Sequence, residues 1–113
     1  MLLRIWRTGV NPARWREYER FEQEYSLPMF RQQPGCRGVL LLRAGDGMGA
    51  AACSFWDDQQ AIERLSNSPT YQGTVARLVA TGLLTGEQTV VVYKVAGGAL
   101  DTLPGVQLFK AMS

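Results

Sequence analysis

Three side chains offer strong hydrogen-bond donors beside apolar neighbours: Trp56, Tyr71 and Arg4. They supply an indole N–H, a phenolic hydroxyl and a permanent positive charge, donors that can hold negative charge where water is excluded. The chain has no histidine, which removes Ser-His-Asp and Cys-His nucleophile pairs, His-ligated haem and the commonest ligand of zinc, iron and copper. Other strings that resemble sites have simpler explanations. Asp57-Asp58 follows a strand and precedes a helix, where capping accounts for both carboxylates. Gly45-Asp46-Gly47-Met48-Gly49 joins two strands instead of opening a helix, so it is no phosphate loop.

The elements that must position these donors are legible in the apolar pattern. Leu2 to Thr8 alternates as a strand, with Arg4 and Trp6 on one face. Asn11 is a good N-cap, Pro12 suits a first helical position, and Val10 with Trp15 forms a hydrophobic staple. Trp15, Tyr18, Phe21, Tyr25 and Met29 then recur at helical spacing opposite Arg16, Arg20, Gln23 and Glu24. Pro28 cannot donate to the helical ladder, so a kink or restart is expected near Ser26-Leu27, with an end by Pro34-Gly35. Strands are predicted over Cys36 to Arg43 and Ala50 to Trp56 around a turn at Asp46-Gly47, helices over Asp58 to Ser66 and Pro69 to Thr81, and a strand over Gln88 to Val95. The order strand, helix, strand, strand, helix, strand predicts an α+β ferredoxin-like sandwich, a four-stranded antiparallel sheet with both helices on one face. Residues 1–98 form that domain and 99–113 an apolar tail, for which two places are open: against a partner subunit, or over the second sheet face of its own chain.

With 113 residues, 46% hydrophobic and 19% charged, the composition is that of one globular domain without a membrane span. Arg4 and Arg7 interrupt the apolar N-terminus, so no signal peptide is read and a cytoplasmic location is expected. The net charge of +2 is spread among neighbouring glutamates, a solvated pattern that argues against nucleic acid as a partner. In a hairpin centred on Asp46-Gly47, Cys53 lies opposite about Leu40 and roughly 13 Å from Cys36, too far for a disulfide. Val39 to Leu42 and Val90 to Tyr93 are apolar on both faces, which predicts burial on both. Two helices cover one face, and a second copy of the chain, in a two-fold homodimer, is the economical cover for the other.

Leu27-Pro28-Met29-Phe30-Arg31-Gln32-Gln33-Pro34-Gly35 with Gly38, then Phe55-Trp56-Asp57-Asp58, Ala61-Ile62, and Ser68-Pro69 with Tyr71, resemble the antibiotic biosynthesis monooxygenase-like family of dimeric α/β-barrel proteins. The likeness spans about Leu2 to Val95 and implies a barrel formed by two subunits. In the haem-degrading branch a histidine and a second tryptophan stand where this chain has Val75 and Leu65, and no asparagine occurs in the first strand here. That branch is disfavoured. The quinol-oxygenase branch implies a monooxygenase without metal, flavin or other cofactor, acting on a small hydrophobic aromatic compound. A deprotonated polycyclic phenol passes an electron directly to dioxygen, which needs a dry cavity and donors for the phenolate. On this reading Trp56, Tyr71 and Arg4 are the catalytic residues, and Trp6, Tyr18, Tyr25 and Ala52 bind the substrate.

Each assignment has a structural rival. Trp56 is the kind of residue that anchors packing with its N–H satisfied internally. For Tyr71 the rival is packing over the crossover, for Arg4 a pair with a carboxylate across the subunit boundary, and for the Trp15-Tyr18-Phe21-Tyr25 stripe a plain core-facing role. Ala50-Ala51-Ala52 leaves space in a strand, either for close helix packing or for part of a ligand cavity. The alternative to an enzyme is a non-catalytic small-molecule-binding or stress-associated dimer on the same fold.

Overall fold

The computed structural model describes residues 1–107 and Phe109. Strand β1 (Leu2–Val10) leads through a single 3-10 turn (Pro12–Arg14) into α1 (Trp15–Phe21), a π-helical segment (Glu22–Ser26) and α2 (Leu27–Arg31). Strands β2 (Cys36–Arg43) and β3 (Gly49–Trp56) follow, then α3 (Gln59–Asn67), α4 (Pro69–Ala80) and β4 (Leu84–Lys94). The sheet is antiparallel in the order β2-β3-β1-β4, the ferredoxin-like topology expected from the sequence. No described helix is long and apolar enough to cross a membrane.

Local chemistry sets the joints. The Asn11 side chain accepts from the Ala13 N–H at 3.0 Å, Asp58 caps α3 through the Ala61 N–H at 2.9 Å, and Ser68 caps α4 through the Tyr71 N–H at 3.3 Å. That last cap, with Pro69 following, holds Tyr71 in the first turn of α4. The β2–β3 register places Cys53 opposite Leu40, as the turn at Asp46-Gly47 requires, and both cysteines are free and buried.

Two elements differ from expectation. The kink before Pro28 is a π segment in which the Leu27 N–H donates to the Glu22 carbonyl. The extra residue shifts the phase of the stripe, so Glu22 and Ser26 are buried while Tyr25 is 43% exposed. Strand β4 begins at Leu84, not Gln88, after a register shift between Arg7 and Gly9. The polar run Thr85-Gly86-Glu87-Gln88 hides its start, and Gly86 (φ +67) supplies the left-handed bulge geometry.

One sheet face carries Arg4, Trp6, Thr8 and Val10 from β1, with Ala50, Ala52, Ser54 and Trp56 from β3, all buried beneath the helices. The opposite face presents Leu3, Ile5, Leu40, Leu42, Cys53, Phe55, Val91 and Tyr93. Val90 to Tyr93 are exposed on both faces of the edge strand, because the helix layer does not reach β4. The tail turns back within the same chain: Arg31 donates to the Gln107 side chain at 2.7 Å and stacks over Phe109. Leu108, counted in the apolar tail, lies outside the described residues.

Candidate functional site

Between the helix-covered face of β1–β3 and helices α2 and α4 lies a cavity of about 30 Å³, bordered by Arg4, Trp6, Ala52, Phe30, Glu22 and Tyr71 among others. It has room for about two water molecules. Arg4 is 4% exposed. Its Nη2–H donates to the Tyr71 hydroxyl at 2.7 Å, and its guanidinium carbon sits 5.3 Å from the Tyr71 ring centre. Nη1 is buried with no partner among the described residues. The ion pairs found there, Arg14–Glu17, Arg37–Asp57 and Arg43–Glu19, leave Arg4 without a carboxylate. A buried cation with a spare donor is costly unless something anionic meets it. Because Tyr71 accepts from Arg4, its own hydroxyl proton stays free to donate alongside Nη1.

The expected site residues therefore divide. Arg4, Tyr71, Trp6 and Ala52 come together around one cavity. Arg4 lies on the helix-covered face of the sheet. Trp56 is fully buried but does not border the cavity. It stands opposite Leu2, four residues along β3 from Ala52, and its indole N–H already donates to Ser54 Oγ at 2.8 Å. The ring packs edge-on against Phe30 with centres 6.4 Å apart. Its one donor is engaged within the chain.

Tyr25 also stands apart from the first cavity. The π segment turns it outward, where it packs on Phe21 and beneath Arg77. Tyr18 is buried but borders a second, larger cavity of about 140 Å³ between α1 and β2–β3, together with Trp15, Glu19, Glu22, Gln23 and Arg43. Its hydroxyl makes no hydrogen bond of good geometry among the described residues. Burial first, and the Glu22 charge second, push its pKa far above the ordinary tyrosine value.

Glu22 and Ser26 are site residues that the aromatic stripe conceals in the sequence. Glu22 is 4% exposed, borders both cavities, and accepts from the Ser26 hydroxyl at 2.6 Å. Burial raises its pKa, and the hydrogen bonding of Ser26 and Tyr18 draws it only part of the way back. A signal is present: residues 15, 18, 22, 26 and 29 also recur at three- and four-residue steps along one helix face.

The profile of the family described as "Antibiotic biosynthesis monooxygenase" matches residues 5–77, well over half of the chain. No curated protein matches. Among solved structures, SnoaB, a cofactor-independent oxygenase from Streptomyces nogalater, is 25% identical, with 91% of this chain and 96% of that one covered at a TM-score of 0.68. Rv0793 from Mycobacterium tuberculosis is 21% identical, with 88% and 98% covered and a TM-score of 0.71. A monooxygenase from the gene ActVA-Orf6 of Streptomyces coelicolor, solved with the ligand nanaomycin D, is 18% identical, with 89% and 92% covered and a TM-score of 0.68. This chain belongs to the antibiotic biosynthesis monooxygenase family and has the antiparallel α+β fold seen in these structures.

Proposed function

We propose that the protein is a cofactor-independent monooxygenase acting on a small hydrophobic aromatic compound of the quinol type, and that it works as a homodimer. The observation that carries the reading is the buried Arg4 guanidinium, tied to Tyr71 on one side and bare on the other, at an apolar cavity. A phenolate oxygen placed there receives Nη1–H and the Tyr71 hydroxyl in a dry setting, where such donors act most strongly. For an anthrone, the phenolate form passes an electron to dioxygen. Recombination forms a carbon–oxygen bond, the ring CH₂ becomes C=O, and the second oxygen leaves as water with the two hydrogens. SnoaB, the similar cofactor-independent oxygenase, supports this class of reaction, and the nanaomycin D bound to the ActVA-Orf6 monooxygenase supports a small-molecule substrate.

At about 30 Å³ the cavity is far smaller than the roughly 300 Å³ of an ordinary ligand pocket. Ring entry requires α4 to move outward with Tyr71, Thr74 and Val75, which are only partly buried. The test is oxygen uptake with anthrone-type or naphthoquinol substrates. Arg4→Met lowers kcat/KM by about 100-fold, the scale of losing one oxyanion donor, and Tyr71→Phe lowers it less because Arg4 remains. Uptake unchanged in the double variant removes the site.

The same small volume favours a second reading, a binding protein that holds a small phenol without turnover. Tight binding of such a compound with no oxygen consumption under any substrate decides for it. The homodimer is supported by Val90, Val91, Val92 and Tyr93, each at least 40% exposed on an edge strand next to an uncovered apolar sheet face. Sedimentation that shows a monomer at micromolar concentration refutes it.

A further inference from the structure

We propose that Glu22 is the proton acceptor of the Arg4–Tyr71 cavity, taking the hydroxyl proton of a bound phenol and holding it while the phenolate is present. The inference rests on the reading of the first cavity as a phenol site. Among the described residues Glu22 is the one carboxyl bordering that cavity, and the same side chain borders the larger one, so it forms part of the wall between them. The second cavity is the more polar of the two, with Glu19, Gln23 and Arg43 at its edge.

Packing alone does not explain this carboxyl. A buried Glu is ordinarily matched by a cation, yet Glu22 forms no ion pair among the described residues, and its one hydrogen bond of good geometry there comes from Ser26. It enters the interior on a π segment, an uncommon backbone form that recurs at functional sites. The groups bordering these cavities with it are Arg4 from β1, Tyr71 from α4, Arg43 from β2, and Tyr18 and Glu19 from α1. Burial makes the carboxylate a stronger base than an exposed one. In the step, the phenol O–H bond breaks, a carboxyl O–H bond forms on Glu22, and the phenolate charge is left facing Arg4. The proton stays on Glu22 while the phenolate is bound, and it returns to the second oxygen as that oxygen leaves as water, restoring the carboxylate.

The experiment follows 2-naphthol binding by absorbance, which separates naphthol from naphtholate, in the wild type, Glu22→Gln and Ser26→Ala. Wild type binds the probe as naphtholate at neutral pH. Glu22→Gln, nearly isosteric, binds within about threefold as tightly but leaves the probe neutral, and its oxygen uptake falls about 100-fold at nearly unchanged KM. Ser26→Ala, which removes a bond favouring the ionised carboxyl, moves the acid limb of the pH profile upward. Naphtholate formation in Glu22→Gln equal to wild type overturns the inference and leaves the Arg4–Tyr71 site standing. Failure of the wild type to bind or ionise the probe overturns both together.

Discussion

Replacing Trp56 by Phe separates packing from chemistry. The side chain is fully buried, packs edge-on against Phe30, and donates its one N–H to Ser54 Oγ at 2.8 Å. Aromatic side chains bury about 150 to 250 Å² with Trp at the upper end, so shrinking indole to phenyl removes about 50 Å², or about 1.2 kcal/mol at 25 cal/mol/Å². The lost hydrogen bond adds about 1 kcal/mol, since Ser54 keeps only a long 3.5 Å contact to the Arg4 carbonyl. A loss of about 2 to 3 kcal/mol follows, which lowers Tm by about 10 °C in a domain of this size. Urea unfolding followed by circular dichroism measures it as a fall in midpoint at constant slope. With Trp56 serving packing alone, kcat/KM stays within about threefold of wild type below the unfolding range, because Trp56 does not border the cavity. A variant that keeps its stability within about 0.5 kcal/mol and loses oxygen uptake refutes the assignment and restores Trp56 as a catalytic residue.

A Cβ on Gly9 would lie 2.4 Å from Thr85 Oγ1 and 2.5 Å from the Thr85 carbonyl oxygen, so Gly9→Ala displaces the start of β4 and costs about 2 kcal/mol or more in urea unfolding. Burial pushes the Cys36 thiol up to about 11 and also raises Cys53; native alkylation near pH 8 is therefore slow at both and becomes fast on unfolding, a contrast readable by mass spectrometry. Glu22 has a folded pKa raised above its unfolded value of about 4.3, so the folded state holds its proton more tightly. Its contribution to stability is present in full below about pH 4.3 and is lost as pH rises through the folded pKa, falling by about 1.4 kcal/mol for each pH unit between the two values. Glu22→Gln removes that decline, and urea midpoints measured between about pH 4 and about pH 8 show a flatter profile than wild type.

How far the sequence reaches depends on the range of the interaction. Strand alternation in β1, the turn at Asp46-Gly47, the Asn11, Asp58 and Ser68 caps and the break before Pro28 are set by neighbours a few residues away. They are legible, along with the element order and the fold class. The Trp56–Ser54 bond is legible in principle, since residues two apart on a strand share a face. The start of β4 is not, because a bulge beside Gly9 is decided by the partner strand.

The site itself needs tertiary structure. Arg4 and Tyr71 each stand out by residue type, but they are separated by 67 positions and meet only when α4 folds over β1. Residue type passes over Glu22 and overvalues Tyr25 for a single reason: one added residue in the π segment rotates the helix face, and composition does not register phase. The sequence by itself determined which groups were present, which were excluded by the lack of histidine, and the order of elements. The tertiary structure decided which donors share a cavity, which are spent on internal bonds, and which carboxyl is buried, because those outcomes depend on contacts between distant segments.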